Sequence, residues 1–266
     1  MTSADARRQP QYGTILRSAA PELVEVLAGG GLDFLLVDHM HSALSWETTA
    51  AIARAARAAG LHAFYRPNGA PETGEAPVYL AAQCNRALSV GFDGLFVSVR
   101  DERDAAAVIG VADRFWQRNL HAAADFGDDV EAYRKAIRDN LFVIAQFESI
   151  ASLDHLERVA AIEGLDGLAV ANSDLSIEAT GGLDAEDDRV LQIVGRVSEV
   201  CHEHRLALWC NTGYGFPTAS SMAERAHRLV ERGADLVLLQ SAELILANAI
   251  RGITQGTSEH PSQPGR

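Results

Sequence analysis

Eight short apolar runs alternate with longer, alanine-rich amphipathic stretches, and this alternation restricts the possible folds more than any other feature of the chain. Continuous apolar runs of this length predict strands that are buried on both faces. The runs that we predict as strands are Thr14–Leu16, Phe34–Val37, Ala63–Arg66, Leu95–Val97, Phe142–Phe147, Gly167–Ala171, Leu206–Cys210 and Leu236–Gln240.

The stretches between these runs have helical spacing, and most of them end at or near a glycine, which is a common helix terminator. The segment Asp101–Asn140 is longer than one crossover between strands requires, so we expect two helices in it. The other predicted helices are Pro21–Leu27, Trp46–Ala59, Val78–Val90, Ser152–Ile162, Asp187–His204, Ala219–Glu231 and Ala242–Ile253.

Eight strand–helix units in about 240 residues are typical of a (β/α)8 barrel. The alternative is a doubly wound open sheet, in which Gly-x-Gly-x-x-Gly often follows the first strand. No such motif follows Thr14–Leu16. We therefore predict an α/β fold with a single (β/α)8 TIM barrel over residues 12–254. Residues 1–11 and 255–266 are polar or rich in Gly, Pro and Ser, and we expect a flexible N-terminus and a disordered tail.

Composition narrows the classes of partner. The 23 Lys and Arg against 36 Asp and Glu give a net charge of −13, which disfavours nucleic acid and anionic membranes because few basic groups would neutralise phosphates. An anionic small-molecule substrate stays possible, since one arginine can dominate a local pocket. The chain shows no apolar run of membrane-spanning length and no signal-peptide pattern, and its three cysteines are scattered. We expect free thiols and a cytoplasmic location.

Catalytic groups of a (β/α)8 barrel lie at the carboxyl ends of its strands, so the residues that follow each apolar run are the candidates. In this chain ionisable, amide and hydroxyl side chains gather there. They are Asp38 and His41 after the second run, Arg66 at the end of the third, Gln146 and Glu148 at the fifth, Ser173 and Asp174 after the sixth, and Asn211 after the seventh.

Glu148 and Asp174 leave adjacent predicted strands, which lie about 4.8 Å apart in a sheet. Two carboxylates held that close repel each other unless a cation joins them. A hard divalent ion such as Mg²⁺ or Mn²⁺ suits oxygen ligands with positions left for water and substrate. The alternative is that Asp174 caps the helix that follows it.

Arg66 ends an apolar strand at the mouth of the predicted barrel, where a guanidinium can bind a substrate carboxylate or a developing oxyanion. The alternative is a structural ion pair with a carboxylate of the rim. Asp38 and His41 are three residues apart, and a carboxylate beside one imidazole nitrogen makes the other nitrogen a better base. The alternative for His41 is an ordinary loop residue.

Taken together, these motifs resemble the HpcH/HpaI family of class II, metal-dependent 2-oxo-acid aldolases, to which macrophomate synthase is related. The resemblance runs from about Gly13 to Ile253. The motifs that carry it are Asp38-x-x-His41, Arg66-Pro67, Gln146-Phe147-Glu148-Ser149, Gly164-Leu165-Asp166-Gly167 and Asp174-Leu175-Ser176.

The resemblance implies a TIM barrel of the pyruvate/phosphoenolpyruvate type and a lyase that forms or cleaves a 2-oxo acid through a pyruvate enolate. It implies that Glu148 and Asp174 bind a divalent metal (Mg²⁺, or Mn²⁺ or Co²⁺), and that Arg66 holds pyruvate and stabilises its enolate. His41, paired with Asp38, is then the acid/base.

The resemblance also implies that Gln146 and Ser173 line the pyruvate pocket, and we expect Asn211 to complete the substrate-binding set. The expected partners are a 2-oxo acid and an aldehyde or other acceptor. Family members often assemble as hexamers, so we expect a homo-oligomer, a hexamer or trimer.

Several positions depart from the family pattern. Met40 stands where the family has a glutamate, and Ser89 where it has an aspartate that reaches a neighbouring subunit. A Pro- and Gly-rich loop, Pro67–Pro77, looks inserted at the mouth. The metal and enolate residues are retained, whereas the part that meets the second substrate differs.

Three other functions stay open at this point. A related barrel can decarboxylate a 2-oxo diacid, or form a carbon–carbon bond in a specialised biosynthesis. A barrel that isomerises phosphorylated substrates would use the loops after the last two strands, where Asn211-Thr212-Gly213-Tyr214-Gly215 is glycine-rich. A non-catalytic binding barrel is the last alternative.

Overall fold

The computed structural model describes residues 9–69, 75–114, 139–214 and 218–256, together with positions 129, 131, 132 and 135. Eight parallel strands pair in chain order and close into a barrel, which confirms the predicted (β/α)8 fold. The strands are β1 (Gln11–Leu16), β2 (Phe34–Asp38), β3 (His62–Arg66), β4 (Gly94–Ser98), β5 (Phe142–Phe147), β6 (Gly167–Val170), β7 (Ala207–Asn211) and β8 (Leu236–Ser241).

Helices follow the strands, and most of their bounds lie within two residues of the predicted ones. The helices of the described ranges are α1 (Glu22–Gly29), α2 (Trp46–Ala58), α3 (Ala76–Val90), α4 (Glu102–Arg114), α5 (Leu156–Ala160), α6 (Asn172–Thr180), α7 (Asp188–His204), α8 (Ala219–Glu231) and α9 (Ala242–Gly256). The second helix expected before Asn140, part of the loop Pro67–Pro77 and most of the tail lie outside the described residues.

Two helix predictions need correction. The stretch Ser152–Ile162 is not one α-helix, because a 3-10 helix over Ala151–His155 precedes α5. Helix α6 is absent from the list of predicted helices, although the capping alternative for Asp174 implied a helix that begins after it. The observed helix begins earlier, at Asn172, because Asn, Ser and Asp are poor helix formers and gave no signal of that start. The strand β6 instead runs almost directly into this helix.

Local chemistry sets several helix ends. The side chain of Ser45 accepts a hydrogen bond from the backbone amide of Thr48, which caps the start of α2. Helix α3 ends at Gly91, whose φ of 105° lies in the left-handed region that glycine adopts without strain. These signals are readable in the sequence, and the corresponding helix bounds were predicted closely.

The barrel interior is filled by apolar side chains around Trp209. Its ring centroid lies 4.6 Å from that of Phe34, 4.8 Å from Phe64 and 4.7 Å from Phe96, all with edge-on geometry. Glycine on a neighbouring strand makes room for these rings, because a Cβ on Gly94 would lie 2.2 Å from a ring carbon of Phe64. The interior is therefore a packed core, and the chemistry is confined to the rim.

The strand register brings the candidate residues to one rim. Asp38 pairs with Arg66 at the ends of β2 and β3, and Ser98 pairs with Gln146 near the ends of β4 and β5. Because all eight strands are parallel, their carboxyl ends share one end of the barrel.

The three cysteines, Cys84, Cys201 and Cys210, are buried free thiols, as predicted. Burial raises the pKa of the Cys84 thiol to about 12, so this group is unreactive at neutral pH. None of the helices in the described ranges combines the length and apolarity needed to cross a lipid bilayer.

Replacing Gly94 with alanine tests the packing of the interior. We expect Gly94→Ala to lower the free energy of unfolding by about 1–3 kcal/mol, because the added Cβ overlaps the Phe64 ring. Urea denaturation measures this loss. The matched control is Gly195→Ala on α7, where a Cβ meets no atom within 4 Å. That change should raise the stability by about 0.4–1 kcal/mol, and an equal loss in both variants would contradict the packing argument.

Candidate active site

The site is centred on Asp38, the last residue of β2, whose side chain is fully buried. Arg66, the last residue of β3, binds it through two parallel hydrogen bonds. Nε donates to Oδ1 at 2.9 Å, and Nη2 donates to Oδ2 at 2.7 Å. This bidentate geometry is the strongest form of an arginine–carboxylate pair. It also matches the structural alternative considered for Arg66, an ion pair with a carboxylate of the rim.

A second arginine, Arg17, reaches the same carboxylate from the end of β1. Its Nε donates to Oδ2 of Asp38 at 2.9 Å, while the backbone amides of Met40 and His41 donate to Oδ1. Burial by itself would raise the pKa of Asp38. The hydrogen bonds and charges of Arg66 and Arg17, with the nearby His41, instead hold it well below its usual range. Asp38 is therefore a permanent anion.

The imidazole of His41 lies between a hydrogen-bond acceptor, Asp38, and a hydrogen-bond donor, Arg66. Its Nδ1 is 3.1 Å from Oδ2 of Asp38 and 2.9 Å from Nη2 of Arg66. A carboxylate only accepts and a guanidinium only donates. Nδ1 therefore carries a proton when it pairs with Asp38, and offers a lone pair when it pairs with Arg66. The side chain of His41 is 52% exposed, so a substrate can reach its ring.

Glu148 follows β5 and faces this cluster. Its Oε1 lies 3.9 Å from Nη1 of Arg66, the nitrogen that Asp38 does not bind. Burial raises the pKa of Glu148, and the negative charge of Asp174 adds to the rise, although the hydroxyl of Ser98 and the charge of Arg66 oppose it. Of the two carboxylates predicted as a pair, the charge of Asp174 thus acts on Glu148.

Asp174 lies in the first turn of α6, and Ala171 is the residue at the N-cap. The capping alternative is therefore wrong for Asp174, although a carboxylate in the first turn is still favoured by the helix dipole. Its side chain is exposed, so it is accessible to ligands from solution.

The donor set for a cation consists of these two carboxylates. Within the ranges that the structure describes, no group of three or more His, Cys, Asp or Glu side chains is arranged to hold a metal ion. A cation here would take Glu148 and Asp174 from the protein and its other oxygens from water and substrate. An all-oxygen, partly open set of this kind suits Mg²⁺ or Mn²⁺.

The other predicted substrate-binding residues divide into two kinds. Gln146 and Ser173 are both buried at the rim, and Gln146 accepts a hydrogen bond from Ser98, which also contacts Glu148. Asn211 is oriented differently. Its amide donates to the Val170 carbonyl and accepts from the Gly213 backbone, so it ties β7 to β6.

Arg17 is the functional residue that our sequence reasoning missed. It directly follows the first apolar run, so the rule that gave candidates at five other strand ends also identifies Arg17. The turn is held in place by Glu243, whose Oε1 accepts from the backbone amides of Arg17 and Ser18 at 3.1 and 2.8 Å.

Replacing Asp38 with asparagine removes the anion that two guanidiniums share. We expect Asp38→Asn to cost about 3–5 kcal/mol of unfolding free energy at pH 7, because two partly buried cations lose their counter-charge. A carboxylate with a lowered pKa stabilises the fold above about pH 4, and this contribution declines as the pH falls through its folded-state pKa. The difference between wild type and variant should therefore narrow below about pH 4.

Urea denaturation at a series of pH values measures this difference. The control is Glu231→Gln, which neutralises a carboxylate in an exposed pair with His227 and should change stability by less than about 0.5 kcal/mol. A cost for Asp38→Asn as small as that of the control would mean that the cluster does not hold the strands together.

Comparison with known proteins agrees with the sequence motifs. A family profile described as HpcH/HpaI aldolase/citrate lyase matches residues 11–242. A hydroxypyruvate/pyruvate aldolase from Deinococcus radiodurans is 29% identical over 174 residues, which are 63% of this chain and 60% of that protein. A protein of the same name from Cupriavidus necator is 24% identical over 267 residues, covering 98% of this chain and 93% of the relative.

The match to the Deinococcus relative thus spans less than two thirds of that protein. Among solved structures, an HpcH/HpaI aldolase from Desulfitobacterium hafniense has a TM-score of 0.78 at 20% identity, and the match covers 96% of both chains. That likeness concerns the fold. Because the family profile extends from the first strand to the start of α9, the chain belongs to the HpcH/HpaI aldolase/citrate lyase family.

Proposed function

We propose that this protein is a class II aldolase, a lyase that forms or cleaves a carbon–carbon bond of a 2-oxo acid, with pyruvate as the donor. One observation carries the proposal. A guanidinium held by a buried carboxylate, an accessible imidazole and a pair of carboxylates meet at one rim, with Arg66 3.9 Å from Glu148. The names of the two aldolase relatives support the same reaction class.

Arg66 is proposed to bind the ketone oxygen of the donor. Two of its nitrogens are occupied by Asp38, so the guanidinium is fixed in orientation and Nη1 points toward Glu148. Negative charge builds up on that oxygen when the enolate forms. A donor that is already oriented stabilises this charge without reorganising.

Glu148 and Asp174 are proposed to hold a divalent cation, with Mg²⁺ the first candidate and Mn²⁺ or Co²⁺ the others. The fit is electrostatic, since the raised pKa of Glu148 reflects burial and the repulsion of Asp174, and a cation would relieve both. When bound, the ion supplies Lewis-acid polarisation of the substrate ketone.

His41 is proposed as the acid/base. With Nδ1 donating to Asp38, Nε2 is free to take the proton of the hydroxyl group beside the bond that breaks. The bonding electrons pass to the ketone oxygen, near Arg66. In the reverse direction His41 returns the proton to the acceptor oxygen. Gln146 and Ser173 are proposed to line the pyruvate pocket. Asn211 is proposed to contribute to substrate binding by keeping the end of β7 in place beside β6.

Exchange of the pyruvate C3 hydrogens in deuterated water tests this mechanism, because it needs enolate formation and no acceptor. We expect exchange, followed by NMR, to stop on chelation and to return with Mg²⁺, Mn²⁺ or Co²⁺. Glu148→Gln and Asp174→Asn should abolish it, and Arg66→Lys should slow it by about 10²–10³-fold. Glu163→Gln, on the exposed surface, is the control and should leave the rate unchanged.

Absence of exchange with every metal would contradict an enolate-forming site, and full exchange in both carboxylate variants would contradict the assigned ligands. Consumption of oxaloacetate without an aldehyde would indicate the decarboxylase alternative.

A homo-oligomer, a hexamer or trimer, is proposed for this chain, with a cytoplasmic location. Leu246, Ile250 and Ile253 are large, apolar and exposed on α9. Their spacing places them on one face of the helix, and an exposed apolar face of this kind marks an interaction surface.

Light scattering after size-exclusion chromatography measures the assembly. We expect a mass three or six times that of the 28.5 kDa chain, and a smaller species for the double variant Leu246→Glu/Ile250→Glu. A monomeric wild type would contradict this proposal.

A further inference from the structure

Two arginines donate to one buried carboxylate at the rim. Arg66 already forms a bidentate pair with Asp38, and one guanidinium balances one carboxylate. Arg17 brings a second guanidinium to 2.9 Å from the same group. Asp38 thus contacts two guanidiniums, and Arg66 has a second carboxylate, Glu148, at 3.9 Å, whereas Asp38 is the side-chain carboxylate to which Arg17 donates.

Arg17 is not needed to satisfy the oxygens of Asp38 either. Oδ1 accepts from Arg66 and from the backbone amides of Met40 and His41. Oδ2 accepts from Arg66 Nη2 and faces His41 Nδ1. A carboxylate has about four acceptor positions, and these groups fill them without Arg17.

Arg17 is placed where a ligand can reach it. Its side chain is 24% exposed, and Tyr214, from the loop after β7, lies beside it. Burial lowers the pKa of Arg17, whereas Asp38 and the hydroxyl of Tyr214 raise it. Tyr214 is itself 44% exposed. This is the glycine-rich loop that the sequence marked as a possible anion site.

Arg17 also lies beside the acid/base. Its Nε and Nδ1 of His41 contact the same Asp38 oxygen at 2.9 and 3.1 Å, so these two nitrogens are at most 6.0 Å apart. In the proposed reaction the donor occupies Arg66 and the carboxylate pair, and the acceptor presents its carbonyl oxygen to His41. The remainder of a short acceptor then lies within reach of Arg17.

We propose that Arg17, with Tyr214 beside it, binds a terminal anionic group of the acceptor, a carboxylate or a phosphate, and so determines which acceptor the enzyme uses. This inference rests on the proposed aldolase function. A guanidinium suits both anions because its nitrogens match their paired oxygens.

Two assays on one set of proteins test the proposal: wild type, Arg17→Gln, Arg17→Lys and the control Arg103→Gln. Arg103 follows β4 at the same end of the barrel, is largely exposed and pairs with Asp101, so its loss removes the same charge from another part of the rim. The first assay is pyruvate C3–H exchange. The second is aldol addition of pyruvate to succinic semialdehyde, glyceraldehyde 3-phosphate or butanal, which carry a carboxylate, a phosphate or no charge.

In wild type we expect a lower KM for one of the anionic acceptors than for butanal, and the lower of the two anionic values identifies the group. Arg17→Gln should raise that KM about 10–100-fold, the loss expected for hydrogen bonds to a charged group. In Arg17→Gln, exchange and the butanal reaction should fall by much less than addition to the anionic acceptor, because Asp38 keeps its bidentate pair with Arg66. Arg17→Lys should recover part of the affinity, and Arg103→Gln should behave as wild type.

Three results would overturn the inference: equal use of butanal and both anions by wild type, an unchanged KM in Arg17→Gln, or an equal loss of exchange and addition. The last would mean that Arg17 acts only through Asp38. Calorimetry with butyrate and inorganic phosphate separates this inference from the proposed function, because it needs no catalysis. If wild type shows no exchange, the aldolase proposal fails. The calorimetry still decides the role of Arg17, because equal anion binding by wild type and Arg17→Gln would overturn it.

Discussion

A single buried carboxylate determines how the rim is arranged. Removing Asp38 from water costs several kcal/mol unless the charge is paired and hydrogen-bonded, and here β1 and β3 each supply an arginine to it. Because both partners come from neighbouring strands, the ion cluster also ties three strands together at their carboxyl ends. The orientation of Arg66 follows from this pairing, since two of its nitrogens are held and the third faces Glu148.

The two kinds of carboxylate at this rim are separated by their surroundings. The guanidiniums around Asp38 keep its pKa low despite burial. Burial raises the pKa of Glu148, and Asp174 adds to the rise, because the arginine near Glu148 is more distant. The packed layer around Trp209 below them excludes water from the barrel, which strengthens both effects. One group is thereby suited to permanent pairing and the other to binding a cation.

The fold was predictable because its signals are local. Each buried strand is an apolar run, and turns such as the one at Gly91 end helices where the sequence indicates. The last residues of the strands were less predictable. Asp38 and Ser98 are polar and lie outside the apolar runs, yet both still pair with a neighbouring strand. Helix α6 was missed for a related reason: its first residues have loop composition, and the helix is held by its place directly after β6.

The members of the site were largely predictable, whereas their contacts were not. Strand ends identify Arg66, Glu148 and Asp174, but only the register of β2 against β3 shows that Arg66 is already paired with Asp38. Arg17 and Tyr214 are far apart in sequence and meet because β1 follows β8 around the barrel. No local pattern carries that information.

The same closure explains why net charge was a poor guide to the substrate. The chain carries −13 overall, yet the groups in contact with Asp38 include two arginines and, at position 40, a neutral methionine. A pocket with low-dielectric walls responds to the charges that line it more than to the distant, solvent-screened ones. The mouth of this acidic protein therefore holds two arginines among its carboxylates, and a substrate anion there responds to the guanidinium that it meets more than to the net charge of the chain.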